Sequence, residues 1–142
     1  MTVSLDRANK LFGDIELLIS SLKQANEAFA KKMALLYSGG KEIKFEDLVK
    51  ANLFDSFFLS EGVAATRLPL KSSSLLFFCL FEPGTKLDRH FHDCYERITV
   101  LSGDLTETGK EAPIKNTILL PPFTWHELDT KKGAQILVEF YK

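Results

Sequence analysis

The chain has 142 residues, a single-domain length with room for one real core, and its 45% apolar content is ordinary for a globular protein. Eighteen basic and 19 acidic side chains leave a formal net charge of −1, with no basic stripe that would follow a phosphate backbone, so no nucleic-acid partner is expected. Two cysteines make neither a disulfide framework nor a paired zinc motif.

In chain order, the apolar positions from Leu5 to Leu36 advance in steps of three and four: Leu5, Ala8, Phe12, Ile15, Ile19, Leu22, Phe29, Met33, Leu36. The period is helical, and Asn26 is the one polar member of the series. Two readings stand. One is a coiled-coil seam between two copies, a homodimer with Asn26 fixing register. The other is an amphipathic helix packed on its own domain. Leu11, Leu17 and Leu18 widen the stripe beyond a two-position seam, which favours the second. Ser38-Gly39-Gly40 stops this helix. A shorter helical pattern follows, with Phe45, Leu48, Val49 and Leu53 on one face and Glu46 and Asp47 near its start. The N-terminus lacks a basic stretch followed by an apolar one, and no apolar run approaches the ~20 residues that span a bilayer. A cytoplasmic chain without membrane association is therefore expected.

After residue 60 the pattern changes to short strands: Val63–Leu68, Leu75–Glu82, Tyr95–Leu101, Asn116–Leu120, Trp125–Leu128 and Gln135–Tyr141. Turn signals such as Ser72-Ser73-Ser74, Pro83-Gly84, Ser102-Gly103-Asp104 and Lys132-Gly133 separate them. Many short strands without helical spacers predict an antiparallel sandwich or barrel. Phe77, Cys79 and Phe81 share one face of their strand, and Phe78 and Leu80 share the other. Both sets are apolar, so alternation alone does not say which faces inward.

The chemistry concentrates in three histidines, the only ones in the chain: His90, His92 and His126. In a strand, residues two apart point to one face, so His90 and His92 project together, as do Cys94 and Glu96 if the strand stays regular. His126 would have to come from a neighbouring strand. Three imidazoles and a carboxylate form a ligand set for a divalent transition metal, whether Fe, Zn, Mn, Ni or Cu, and leave one or two coordination positions open. Cys94 has two readings, an auxiliary ligand or redox-sensitive thiol beside the metal and a small buried hydrophobe. The second is favoured. Phe91 and Trp125 have the opposite parity to the ligands and belong on the outer face or at the mouth. An apolar interior argues against a heavily charged substrate, which would want several of Arg67, Arg89 and Arg97 at the site.

The run Gly84-x5-His90-x-His92-x3-Glu96-x6-Gly103 resembles the first signature motif of the cupin superfamily at every defining position. Pro121-x-Phe123-x2-His126 is similar to the second. Three positions depart from that second motif: Lys115 stands at its leading Gly, Phe123 at its turn Gly and Thr130 at its terminal Asn. A reshaped turn at Phe123 is expected, because Gly supplies backbone angles that Phe resists. The resemblance covers residues 80–130. It implies a mainly β fold, a cupin-type jelly-roll β-barrel over 61–142, with the N-terminal helical segment 1–60 packed on the barrel or on a partner chain. It also implies a metal held by His90, His92, Glu96 and His126, and a small-molecule ligand. Such a site suits an Fe(II)-dependent, dioxygenase-like oxidoreductase, in which Glu96 stays bound or swings off as a catalytic base. The alternative is a non-catalytic sensor or binding module, in which occupancy alters how residues 1–58 pack. A purely structural metal is the third reading.

Overall fold

The computed structural model describes residues 42–51, 56–60, 62–68 and 73–142. The predicted helix from Leu5 to Leu36, its Gly-Gly stop and Leu53 lie outside the described residues. The described elements are β1 (Glu42–Ile43), α1 (Phe45–Ala51), β2 (Ser56–Ser60), β3 (Val63–Leu68), β4 (Leu75–Phe81), β5 (Lys86–His92), β6 (Tyr95–Gly103), β7 (Thr106–Glu107), β8 (Thr117–Leu120), β9 (His126–Asp129) and β10 (Ala134–Tyr141). Among them, no helix is long and apolar enough to cross a membrane.

The strands form two sheets, a four-stranded one in the order β1-β5-β9-β7 and a six-stranded one in the order β2-β3-β4-β10-β6-β8. No described strand pairs across from one sheet to the other, so the predicted barrel is not closed by hydrogen bonds. It is a two-layer jelly roll instead. Every predicted strand is present with its ends within two residues of those expected. The short β1 and β7, and β2, were not predicted, and β5 was expected only as an extended stretch carrying His90 and His92, without bounds. Two residues of β1 or β7 are too few to show an alternation.

The inner faces of both sheets make one core. β10 alternates buried and half-buried along its whole length, placing Ala134, Ile136, Val138 and Phe140 in the core. The ambiguity in β4 resolves here: Phe77, Cys79 and Phe81 belong to the core cluster, while Phe78 and Leu80 do not. The short helix α1 adds Leu48 and Ala51 to the same core, and Phe45 packs against it. Val49, expected on that face, is 43% exposed. The helix is too short for its apolar stripe to wrap further, so only the residues under it are covered. Its N-terminus is tied to the barrel by Asp93, whose carboxylate accepts the Phe45 N–H at 2.7 Å.

Two local features place the histidine-bearing segments. Leu87 pairs with Leu128, but His90 pairs with His126, so β5 carries one extra residue between them. This bulge leaves Asp88 and Arg89 both exposed and returns Leu87, His90 and His92 to the inward side. Without it, Leu87 and His90 would face opposite ways. At Phe123, φ is 61°, the only positive value at a non-glycine among the described residues. The expected reshaping of this turn does not occur. Phe123 takes the left-handed conformation that glycine would supply. Its ring is 64% exposed, so the side chain meets little resistance.

Candidate metal centre

His90 and His92 come from β5, His126 from the first position of β9, and the two strands are neighbours in the four-stranded sheet. Glu96 does not share their strand. The chain bends at Asp93-Cys94 and begins β6 at Tyr95, so Glu96 reaches the site from the six-stranded sheet. The regular strand from His90 through Glu96 is thus corrected: the site lies between the layers, with histidines from one and a carboxylate from the other. The Phe123 N–H donates to the His92 carbonyl at 2.7 Å, which fastens the Pro121–Phe123 turn to β5 and brings the second motif to the first.

The three histidines form a set whose ligand atoms all lie within 4.8 Å of one another. All three are buried, and so is Glu96. Glu96 Oε1 lies 3.0 Å from His126 Nε2 and 3.6 Å from His92 Nε2. The 3.0 Å approach is an ion-pair contact without hydrogen-bond alignment, and neither of its two atoms has a hydrogen-bond partner among the described residues. Behind the rings, His90 Nδ1 meets the Asp88 carbonyl at 2.6 Å and His126 Nδ1 the Thr124 carbonyl at 3.1 Å. A carbonyl only accepts, so each Nδ1 carries the proton. That leaves the lone pair on Nε2, facing the cluster.

Burial, then the neighbouring His126, push the His90 imidazole down to about 3. Burial likewise lowers His92, against the pull of Glu96. Burial would also lower His126, but contact with the Glu96 carboxylate reverses the sign and raises it. Burial opposes ionisation of Glu96, yet His92 and then His126 outweigh it and hold the carboxyl at about 2. Two neutral imidazoles and an ionised carboxylate are the protonation states that a metal ion requires of its ligands. Buried polar atoms with no hydrogen-bond partner are costly unless something binds them. The residues present therefore fit a divalent ion.

Cys94 is buried and lies outside the histidine set. Burial, then Asp93 and Glu96, push its thiol up to about 12, which makes it an inert small hydrophobe. Cys79 is core, with its thiol also pushed far up by burial. Trp125 is 42% exposed, edge-on to Phe91 at 4.6 Å and covered by the Arg89 guanidinium at 4.8 Å, on the outer side. Arg97 faces outward to Glu139 and the Tyr141 ring, and Arg67 is exposed. Among the described residues, no arginine lines the cavity of about 20 Å³ that borders His90 and Glu96. Its walls are otherwise apolar, among them Phe77, Ile98, Leu128 and Phe140. Sequence reasoning missed the β5 bulge, whose only trace is two consecutive charged residues, Asp88-Arg89, ahead of His90.

Thr130, the departure at the end of the second motif, is 3% exposed. Its hydroxyl accepts the Gly133 N–H at 2.9 Å and donates to Asp104 at 3.3 Å. Asp104 also accepts the N–H groups of Lys131 and Lys132. The hydroxyl thus ties the turn at Gly133 to Asp104.

The chain matches no family model and no curated protein in sequence. Its fold does match solved structures. A protein of unknown function with a cupin-like fold from Ralstonia eutropha aligns with TM-score 0.50 at 18% identity, over 58% of this chain and 57% of that one. KdgF from Halomonas sp. aligns with TM-score 0.52 at 15% identity, over 62% of this chain and 87% of its own. At these identities the likeness speaks for the fold alone, and it agrees with both histidine-bearing motifs: the chain is a cupin-fold protein.

Proposed function

We propose that the chain is a metal-binding cupin that uses a divalent transition ion, held by His90, His92, Glu96 and His126, for oxygen-dependent chemistry on a small molecule. The observation that carries this reading is the meeting of three buried imidazoles within 4.8 Å beside an ionised, buried carboxylate. A bound ion with open positions would supply Lewis acidity and, if redox-active, activation of a small ligand. The chain's own part is to hold that ion in a dry wall of Phe77, Ile98, Leu128 and Phe140. The adjoining cavity of about 20 Å³ has room for a group the size of a water molecule. Glu96, beside His126 and His92, is the one carboxylate lining that cavity among the described residues and the candidate for holding or moving a proton.

A sensor or binding role is the second reading. It is favoured by the lining itself, which among the described residues offers no acid or base apart from the proposed ligands His90 and Glu96 and the high-pKa thiol of Cys79. Metal content of the purified chain, followed by oxygen uptake with thiol, diketone and catechol substrates, separates the two. Bound iron with uptake supports the enzyme. Tightly bound zinc without turnover supports the sensor.

A further inference from the structure

The six-stranded sheet buries part of the face that points away from the core. Pairing of β3 with β4 sets Ala64 opposite Leu80, Thr66 opposite Phe78 and Leu68 opposite Leu76. These residues alternate with Val63, Ala65, Phe77, Cys79 and Phe81 of the core cluster, so they point the other way. Yet Phe78 is 0% exposed and Ala64 2%, and Leu80, Leu68 and Thr66 are buried as well. Burial fades across the sheet. On β10 the outward residues Gln135, Leu137 and Glu139 are half-buried. On β6 and β8, Arg97 and Leu119 are exposed. One end of the outer face is therefore covered and the other is open.

None of the described elements supplies that cover: the four-stranded sheet and α1 contribute Ile43, Leu87, Leu128, Leu48 and Ala51 to the core and so lie on the opposite side of β3 and β4. The segments between described residues, 52–55 and 69–72, have four residues each, too few to cover a face that runs the length of β3 and β4. The 41 residues before Glu42 are not too few. Their sequence carries a helical apolar stripe from Leu5 to Leu36, and at about 1.5 Å per residue a helix of that length would be about twice as long as either strand. A leucine- and isoleucine-rich stripe and a face of Phe78, Leu80 and Ala64 are complementary apolar surfaces.

We propose that residues 5–36 of this chain form the cover of the outer β3–β4 face, making a second hydrophobic layer opposite the metal-bearing core. The proposal is independent of any metal. It places Phe78 and Leu80 under the helical stripe and leaves the Leu119 end of the sheet bare.

Amide hydrogen exchange on the full chain tests it. Residues 5–36 are expected to be protected, and Leu80→Glu should lower that protection by about tenfold or more while leaving β9 protected. Leu119→Glu, on the bare end, should change nothing. Leu80→Ala, which should lower protection in the same segment less steeply, serves if the charged variant fails to fold. Unprotected residues 5–36 in the parent chain, or protection indifferent to both Leu80 variants, would overturn the proposal. So would protection lost on dilution together with a light-scattering mass of two chains, since the cover would then come from a second copy.

Discussion

Phe123 holds its left-handed turn with a residue that resists it, because its N–H is engaged by His92 and its ring has open space. A Cβ in this region costs roughly 1–2 kcal/mol. Phe123→Gly should therefore raise stability by about 1 kcal/mol, read as a higher denaturant midpoint, with metal affinity unchanged. The departure was visible in the sequence, but its outcome was not. Whether a turn bends or strains depends on hydrogen bonds made by residues thirty positions away. The shared face of His90 and His92 was legible because a strand fixes their parity, but joining them to His126 as a ligand set leaned on the resemblance to cupin motifs. Glu96 was legible as a ligand type but not as a resident of the opposite sheet.

The buried imidazoles also set the pH response of the metal-free chain. His90 titrates near 3 when folded, against about 6.5 when unfolded. Between those values the unfolded chain binds a proton that the folded chain refuses, so stability falls as pH drops below about 6.5. His92 acts in the same direction. His126 acts oppositely, but its contribution is already complete below the unfolded value and is lost only as pH rises through its folded one. Glu96 adds its own loss only below the ordinary carboxylate range. The urea midpoint of the metal-free chain should fall steadily from pH 7 to pH 5. A His90→Gln variant should fall less over the same range. A midpoint that stays level in the parent chain would show that these rings are not buried as described.

At the scale of elements, the antiparallel pair β6–β10 and its adjoining loops hold the centre of the six-stranded sheet in register. Gly103 has φ of 78°, and a Cβ there would collide with the Gly133 carbonyl oxygen, which also accepts the Asp104 N–H. Gly103→Ala should cost about 3 kcal/mol or more, since left-handed strain and a backbone clash add. Thermal denaturation measures this, and a loss below 1 kcal/mol would mean the two loops can separate freely. Long alternating strands such as β10 were readable because each position reports its face. Strands of two residues carry no such signal. The β4 strand, apolar on both faces, could not be oriented until its partners β3 and β10 assigned Phe77 to the core and Phe78 to the outside. The bulge in β5 was invisible for a related reason: a single inserted residue looks like two ordinary surface charges.

At the scale of the molecule, two open sheets enclose an apolar interior that only a few polar groups enter, and His90, His92, Glu96 and His126 are chief among them. Concentrating ionisable groups there would be costly without something for them to bind, whereas a metal turns the same groups into a source of stability. The fold class followed from the strand pattern after residue 60, and the resemblance to cupins supplied the roll of the sheets. Closure of the barrel did not follow, because pairing between distant strands leaves no mark in local sequence. The most direct test is the metal stoichiometry of the full chain beside its His92→Ala variant, with circular dichroism to confirm folding. One divalent transition ion per parent chain, and none in a variant with the parent's β-sheet spectrum, is the result expected. A metal-free parent that takes up no Fe, Mn, Ni, Cu or Zn on addition, or a variant that keeps its full complement, would contradict the assignment.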